Sequence, residues 1–176
     1  MPDHANDGRP ASVCVATRLE RGDEARWDAF VAQAPQATFF HRAAWRDVIE
    51  RLGHRCHYLF AERGGEITDV LPLAEIRSWL FGHALISTPF CVYGGVVAAD
   101  PESEACLVQA AADLADELRV DYLELRNREL GDTNWPVKGL YVTFRKPIFP
   151  DDDSNLMAFT ADRRRTIRKS VKNGLK

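Results

Sequence analysis

Two residues able to recognise a charged ligand stand two positions apart in one predicted strand. Glu124 and Arg126 lie in the run Val120-Asp-Tyr-Leu-Glu-Leu-Arg126. Because alternate residues of a strand share a face, the two side chains and that of Tyr122 line one polar groove. An arginine in a cleft suits phosphate or carboxylate through its planar fork of donors. The alternative is a structural Glu to Arg pair, which contributes little at a surface.

A tyrosine followed by two glycines forms a second candidate site, at Tyr93, Gly94 and Gly95. Glycine lets a backbone approach a ligand closely, so the pair would place Tyr93 at the rim of a cleft. A glycine bulge between strands explains the same pattern. Both interpretations stay open.

The cationic charge is concentrated in the segment from Asp162 to Lys176. Seven basic residues against one aspartate give it +6, so the rest of the chain carries −9 of the net −3. Helical spacing puts Arg164 and Arg168 on one stripe with Lys169 beside it. Such a stripe favours a phosphate-rich or polyanionic ligand, and a solvated basic helix is the alternative.

Hydrophobic spacing predicts the elements that must position these residues. We expect strands at 12–18, 56–62, 67–76, 83–87, 96–97, 120–126 and 140–144. We expect helices at 24–34, at 45–52 with an apolar stripe of Trp45, Val48, Ile49 and Leu52, after Asp100, and from about Asn155 onward. The Gly64-Gly65 pair predicts a hairpin, and the strand, helix, strand order around the helix after Asp100 predicts a crossover unit. The fold class predicted is therefore α/β (α+β), a mixed, mostly antiparallel sheet with helices on both faces.

Composition limits the kind of protein. With 176 residues, 45% of them hydrophobic and 28% charged, the chain is typical of one globular domain. It has no apolar run long enough to span a bilayer, and its N-terminus lacks the features of a signal peptide. We therefore expect a cytoplasmic protein with a disordered lead-in at 1–11, a core domain at 12–150 and a basic helical segment at 151–176.

Metal and cofactor motifs are not found in the sequence. It contains no GxGxxG, Walker A or GxSxG pattern. The four cysteines are irregularly spaced, with no CxxC pair and no histidine at ligand spacing, so we expect buried reduced thiols and no metal. No residue is identified as a catalytic base, and no cofactor is predicted.

Five segments in the same order resemble the FemAB family, and among its members the FemAB-related proteins associated with PEP-CTERM and exosortase systems. They are Phe40 with Trp45, Leu71-Pro-Leu73, Ser87-Thr-Pro-Phe-Cys-Val-Tyr-Gly-Gly95, Tyr122-Leu-Glu-Leu-Arg126 and Arg164-Arg-Thr-Ile-Arg-Lys-Ser-Val-Lys-Asn-Gly-Leu175. The resemblance implies a GNAT-like acyl-CoA N-acyltransferase fold, usually as two such domains in tandem.

The resemblance also implies an activity. Members of the cell-wall branch transfer an amino acid from aminoacyl-tRNA to the amino group of a peptidoglycan precursor, and the PEP-CTERM-associated branch is tied to exopolysaccharide or surface-protein systems. The donor would be aminoacyl-tRNA or acyl-CoA, and the acceptor a phosphorylated envelope precursor. Since the sequence stops where a second domain of this family should begin, we expect the first half only, inactive by itself.

Two other functions fit the same residues. One is a non-catalytic module that binds RNA or an anionic polysaccharide through the basic helix. The other is a single-domain acetyl-CoA N-acetyltransferase, which is disfavoured because no glycine-rich pyrophosphate loop opens a helix. For the acyltransferase, the predicted substrate-binding residues are Tyr93, Gly94, Gly95, Glu124, Arg126, Arg164, Arg168 and Lys169.

Overall fold

The computed structural model describes residues 14–80, 82–129, 134–139 and 142–174. The chain divides into two compact units between Asp132 and Thr133. The first unit holds all the strands found in the described residues, three α-helices and a 3-10 helix at Phe39–His41. The predicted domain limits at 12–150 and 151–176 stay predictions, and the lead-in at 1–11 lies outside the described residues.

The first unit is built on a five-stranded sheet. The strands are β1 (Ala16–Arg18), β2 (Arg55–Arg63), β3 (Glu66–Ser78), β4 (Gly82–Ser87) and β5 (Tyr122–Glu124). They follow one another in the order β1-β2-β3-β4-β5. The pairs β1–β2, β2–β3 and β3–β4 are antiparallel, whereas β5 runs parallel to β4. The prediction of a mixed, mostly antiparallel sheet flanked by helices is confirmed.

The β2–β3 hairpin follows from its two glycines. Arg63 pairs with Glu66, and Gly64 and Gly65 between them have φ values of +61° and +86°. A two-residue turn of this type needs positive φ at both positions, which glycine adopts without steric cost. The turn therefore sets the register of the two longest strands.

Helices cover both faces of this sheet. They are α1 (Glu24–Gln33), α2 (Ala44–Arg51) and α3 (Pro101–Leu118). On one face Trp27 and Val31 of α1 pack in a cluster with Tyr58, Phe60 and Val70. On the other face α3 packs against the central strands, through Leu107, Ala111, Leu114 and Ala115 on Leu59, Leu71, Leu73 and Leu85. Because β2 and β3 are covered on both sides, their buried positions are nearly continuous instead of alternating.

The α3 helix makes β4 and β5 parallel. The carboxylate of Asp100 accepts a hydrogen bond of 2.8 Å from the amide of Ser103, and Pro101 occupies the first turn. These are the features that start a helix. Arg119 ends it in the left-handed conformation, and the chain then enters β5 beside β4. The crossover helix was predicted correctly, but the crossover begins from β4 and not from the strand predicted at Val96–Val97.

Pro72 lies inside β3, where a proline removes one ladder donor. Its carbonyl accepts from the amide of Thr88 at 3.1 Å, just past the end of β4. Two residues earlier, Val70 exchanges hydrogen bonds of 2.8 and 3.0 Å with Val97. The edge of β3 at Pro72 therefore lies between the end of β4 and the bridge to Val97. Among the described residues no strand pairs with that edge of β3 there, so the N–H group that proline lacks is not needed for a regular ladder.

The second unit contains two short helices, α4 (Asp152–Met157) and α5 (Ala161–Lys172). Asp151 caps α4 through its carboxylate, which accepts from the amide of Ser154 at 2.7 Å. The helical region predicted from about Asn155 onward consists of these two helices. Thr160 is extended, and a guanidinium nitrogen of Arg164 donates to the carbonyl oxygens of Met157 and Phe159 where α4 ends.

Three local predictions differ from the structure. Val96–Val97 is no strand, because only Val97 makes a bridge, to Val70. Residues 142–144 are not in a strand, and 140–141 lie outside the described residues. Of the stripe predicted on α2, Ile49 is buried, whereas Val48 and Leu52 are exposed.

The four cysteines are free thiols, but only Cys91 is buried; Cys14, Cys56 and Cys106 are half-buried. Burial raises the pKa of the Cys56 thiol to about 12, which keeps it protonated and unreactive. No group of three or more His, Cys, Asp or Glu side chains could hold a metal ion within the part of the chain that the structure describes. None of its helices there is long and apolar enough to cross a bilayer.

Candidate functional site

The loops that follow β4 and β5 lie at the carboxyl ends of the two parallel strands. Register between the strands ends at Ile86 opposite Glu124. Beyond that point the amide of Arg126 donates to the hydroxyl of Ser87 at 2.7 Å, so a side chain replaces the main-chain ladder. In open α/β sheets the carboxyl ends of parallel strands are where ligands bind. We call residues 88–95 with 124–127 the β4–β5 end.

Arg126 is the centre of the β4–β5 end. Its Nε donates to a carboxylate oxygen of Glu124 at 2.8 Å, and its Nη1 donates to the carbonyl of Cys91 at 2.7 Å. Its own carbonyl accepts from the amides of Gly94 and Gly95 at 3.2 and 3.1 Å. The predicted Glu124 to Arg126 pair is therefore present, half-buried, and fastened to the loop after β4.

The two glycines make close approaches to the protein itself. A Cβ on Gly95 would stand 2.7 Å from both the backbone nitrogen and the Cα of Asn127. A Cβ on Gly94 would collide with the side chain of Thr88. Both glycine amides donate to the carbonyl of Arg126. They are therefore not free to bind a ligand, although the prediction expected the backbone of this pair to approach one. The half-buried Tyr93 lies next to them in the same loop.

The loop after β4 contains unusual backbone. Thr88 has φ = 37° and Phe90 has φ = 68°, in the left-handed region that non-glycine residues rarely adopt. Each such residue costs on the order of 1–2 kcal/mol, and Thr88 sits directly before Pro89. The loop conformation is held by the bonds to Arg126 and by the hydroxyl of Thr88, which lies 3.4 Å from the carbonyl of Phe40.

Aromatic side chains are exposed beside this loop. Phe39, Phe40 and Trp45 contact one another with ring centroids 5.6 to 5.9 Å apart. Phe39 is 71% exposed, and Phe90, whose ring lies 5.5 Å from that of His54, is 64% exposed. Exposed apolar clusters on a folded domain are typical of binding surfaces.

His41 links the aromatic cluster to the glycines. The amide of Thr38 donates to His41 Nδ1 at 3.0 Å, so Nε2 carries the hydrogen and donates to the carbonyl of Gly95 at 3.1 Å. Burial lowers the pKa of His41 below its ordinary value. A neutral imidazole in one tautomer therefore holds the loop, which the sequence analysis did not identify although His41 directly follows Phe40.

The predicted basic residues lie on α5, in the other unit. Arg168 and Lys169 are exposed. Arg164 is half-buried and already bonded to the two carbonyl oxygens at the end of α4. The structure thus brings five of the predicted site residues together in the first unit: Tyr93, Gly94, Gly95, Glu124 and Arg126. Of the three predicted cations in the second unit, Arg164 is used within the protein, whereas Arg168 and Lys169 are exposed.

Two surface depressions of the first unit have none of the residues of the β4–β5 end in their lining. One of about 480 Å³ lies at the tip of the β3–β4 hairpin, between Arg77, Trp79, His83 and Asp121. One of about 210 Å³ lies where β1 leaves β2. Because the first is a wide, open surface and holds none of the residues that resemble a known family, we place the candidate site at the β4–β5 end.

Sequence reasoning missed Ser87, Thr88, Cys91 and Asn127 as parts of this site. Ser87, Thr88 and Cys91 stand in one of the segments already singled out, and Asn127 directly follows another. Asn127 accepts from the amide of Val96 at 3.0 Å. Their places in the sequence, within or directly beside the segments of Arg126 and Gly94, were the signal from which they could have been predicted.

No protein-family model matches this chain, and no curated protein matches it by sequence. Similar solved structures include a GNAT family acetyltransferase from Staphylococcus aureus, 10% identical, with a TM-score of 0.49 over 77% of this chain and 98% of that one. A transcriptional regulator from Bacillus halodurans is 12% identical, with a TM-score of 0.48 over 77% and 99%. A ribosomal-protein-alanine N-acetyltransferase from Brucella melitensis is 14% identical, with a TM-score of 0.43 over 76% and 100%. At this level of similarity the function must be argued from the chain's own residues.

Proposed function

We propose that the first unit is an acyltransferase-type domain that binds an activated acyl donor and an amine acceptor at the β4–β5 end. The observation that carries the proposal is convergence. Four of the five segments that resemble the FemAB family, which are far apart in sequence, touch here. Thr88 bonds to Phe40 and to Pro72, and Arg126 bonds to Cys91.

The proposed reaction is an attack by the amine nitrogen on the carbonyl carbon of the donor. A C–N bond forms, the C–O or C–S bond to the donor breaks, and the proton lost by the amine balances the alcohol or thiol that leaves. Such a reaction depends chiefly on placement of the reactants and on stabilisation of the oxyanion. A loop held by many hydrogen bonds is suited to placement.

Arg126 is proposed to contact an anionic group of the donor or acceptor. Two of its three guanidinium nitrogens are bonded, to Glu124 of β5 and to the carbonyl of Cys91, and no partner of Nη2 is found among the described residues. A guanidinium fixed in this way loses little further freedom when it binds phosphate or carboxylate. Phe39 and Phe90 supply the adjoining apolar surface.

The finer assignment rests on the sequence segments. We propose an aminoacyl- or acyltransfer onto a phosphorylated amine in cell-envelope or exopolysaccharide synthesis, with aminoacyl-tRNA or acyl-CoA as donor. The tyrosine and glycines of the loop and the Glu124–Arg126 pair are the residues proposed to shape the site.

Donor binding tests this function. We would titrate the chain with acetyl-CoA and with aminoacyl-tRNA by calorimetry, and repeat the titrations on Arg126→Gln and on the control Arg128→Gln. Arg128 is exposed and two positions further along the chain. We expect one donor to bind, with affinity reduced about tenfold in Arg126→Gln and unchanged in Arg128→Gln.

Product formation is the second readout. Mass spectrometry of simple amine acceptors incubated with the bound donor would detect acyl transfer. Equal donor affinity in both variants, or failure of both donors to bind, would contradict a donor site at the β4–β5 end. Turnover by this chain would contradict the expectation that it is inactive by itself.

An anion-binding module is the second candidate, and the exposed face of α5 favours it. Arg163, Arg165, Arg168, Lys169 and Lys172 are all exposed on one short helix. Binding by this helix should fall steeply with salt and should be insensitive to Arg126→Gln. That pattern with single-stranded RNA or an anionic polysaccharide would favour the module over the transferase.

A further inference from the structure

The depression of about 210 Å³ where β1 leaves β2 has three arginines in its lining, Arg18, Arg46 and Arg55. Leu19, Glu20, Cys56, His57 and Tyr58 complete the lining. Burial lowers the pKa of His57, so the three arginines are the cations of the depression. The surrounding unit is rich in acidic residues, since the chain outside the basic tail carries a net negative charge. Such a concentration of guanidinium groups on an otherwise acidic unit is the pattern of an anion site.

The sheet brings these cations together from distant parts of the sequence. Arg18 is the last residue of β1, Arg55 is the first of β2, and Arg46 stands in the middle of α2. The amide of Leu19 donates to the carbonyl of Tyr58 at 2.8 Å, which keeps the end of β1 against β2. The site exists only because this edge pairing forms.

Arg46 is a fixed donor. Its Nη1 donates to the carbonyl of Leu19 at 3.1 Å and its Nε to Glu50 at 3.1 Å, and its side chain is 16% exposed. Two bonds and partial burial hold the guanidinium plane in one orientation. Fixed guanidinium groups recognise tetrahedral oxyanions well because little entropy is lost on binding.

Arg55 and Arg18 retain unused donors. Arg55 is 79% exposed, and its Nη1 is 4.0 Å from Glu75, too far for a hydrogen bond. Arg18 donates through Nη2 to Glu117 at 2.9 Å, which leaves other N–H groups of its five. Glu75 itself is 3% exposed and is bonded to Arg77 and His83, so most of its charge is already compensated there.

We propose that this depression, which we call the Arg18–Arg55 cleft, binds a phosphate group, either inorganic phosphate or the phosphate of a small phosphomonoester. Its volume is below the 300 Å³ or more that encloses a drug-sized ligand, so the ligand is small or enters by its phosphate end. This site is separate from the β4–β5 end and does not depend on the proposed transferase activity.

Titration with inorganic phosphate and with glycerol 3-phosphate tests the proposal. Arginine side-chain Nε–Hε resonances would be followed by NMR on the full chain at constant ionic strength. We expect shifts of the Arg18, Arg46 and Arg55 resonances, and an affinity about tenfold lower in Arg55→Gln, since one charge-assisted contact is lost. Tighter binding of glycerol 3-phosphate would identify a phosphomonoester, and equal or weaker binding would identify free phosphate.

Two control variants locate the binding. Arg51→Gln removes an exposed arginine of α2 that does not line the cleft, and the double variant Arg168→Gln/Lys169→Gln removes two cations of α5. Both should bind phosphate like the wild type. The proposal is overturned if the three arginine resonances do not move, if Arg55→Gln and Arg51→Gln lose affinity equally, or if binding disappears with the α5 variant.

Discussion

The β4–β5 end and helix α5 both present arginines, but they hold them in opposite ways. Arg126 is bonded to Glu124 and Cys91, and its carbonyl anchors two glycine amides. Arg168 and Lys169 are exposed on a short helix of the second unit. The first arrangement suits recognition of one ligand geometry, and the second suits attraction of negative charge without geometric selection.

The difference shows that charge and specificity reside in different regions of this chain. The segment from Asp162 to Lys176 carries a net charge of +6, and the rest of the chain is negative. The cation with the more restricted geometry, Arg126, lies in the negatively charged first unit. The affinity of a ligand bound by α5 would depend on ionic strength. The affinity of a ligand bound by Arg126 would depend on the conformation of the loop after β4. The predictions below change one region at a time.

Gly95→Ala should have the largest effect on stability. The added Cβ would meet the backbone of Asn127 at 2.7 Å, and backbone cannot move aside as a flexible side chain can. We expect a loss of about 3 kcal/mol in the free energy of unfolding, measured by urea denaturation. Gly139→Ala is the control, because nothing lies within 4 Å of its position. Equal effects would mean that the loop is not closely packed on Asn127.

His41→Gln should destabilise the loop by about 2 kcal/mol at pH 8, because two buried hydrogen bonds change. Burial lowers the pKa of His41 below 6.5 in the folded state, so folding favours the neutral ring. Its contribution is therefore complete above pH 6.5 and declines as the pH falls below it. The stability difference between wild type and variant should shrink toward pH 5. A gap that stays constant would contradict the lowered pKa of His41 in the folded state.

Arg126→Gln should cost about 1.5 kcal/mol through loss of the bonds to Glu124 and Cys91. The control Arg128→Gln should change stability by less than about 0.5 kcal/mol, since Arg128 is exposed. Thermal unfolding of the two variants measures this difference. If they unfold alike, Arg126 does not fasten the loop.

The double variant Arg168→Gln/Lys169→Gln should have the smallest effect on stability, below about 0.5 kcal/mol. Its effect should appear instead in nonspecific binding of a polyanion, where the slope of log affinity against log salt should decrease by about two. Filter binding with single-stranded RNA at several salt concentrations measures it. A large loss of stability would show that the two cations make structural contacts.

Part of the fold was predictable from the sequence because local physics determined it. Gly64-Gly65 required a tight hairpin, and Asp100-Pro101 started a helix whose return made β5 parallel to β4. The strand predicted at Val96–Val97 was wrong because a two-residue run gains only one bridge here. The helical region predicted from about Asn155 onward divides into α4 and α5, with the extended Thr160 between them.

The candidate site was predictable only as a set of residue types. Glu124 and Arg126 were expected to share a face, and the structure shows their ion pair. Nothing local indicated that Arg126 would bond to Cys91, 35 positions earlier, or that both glycine amides would be used within the protein. Whether these residues bind a substrate stays a prediction.

By itself the sequence determined the hairpin, the start of α3, the mixed character of the sheet and the basic tail, since turn geometry, capping and charge depend on neighbouring residues. Tertiary structure alone decided what those residues contact. Sheet pairing brought Arg18 of β1 close to Arg55 of β2. It also placed Pro72, which lacks an N–H donor, just beyond the end of β4, where that edge of β3 has no paired strand among the described residues. These contacts depend on register between distant strands, and no local pattern in a single sequence encodes that register.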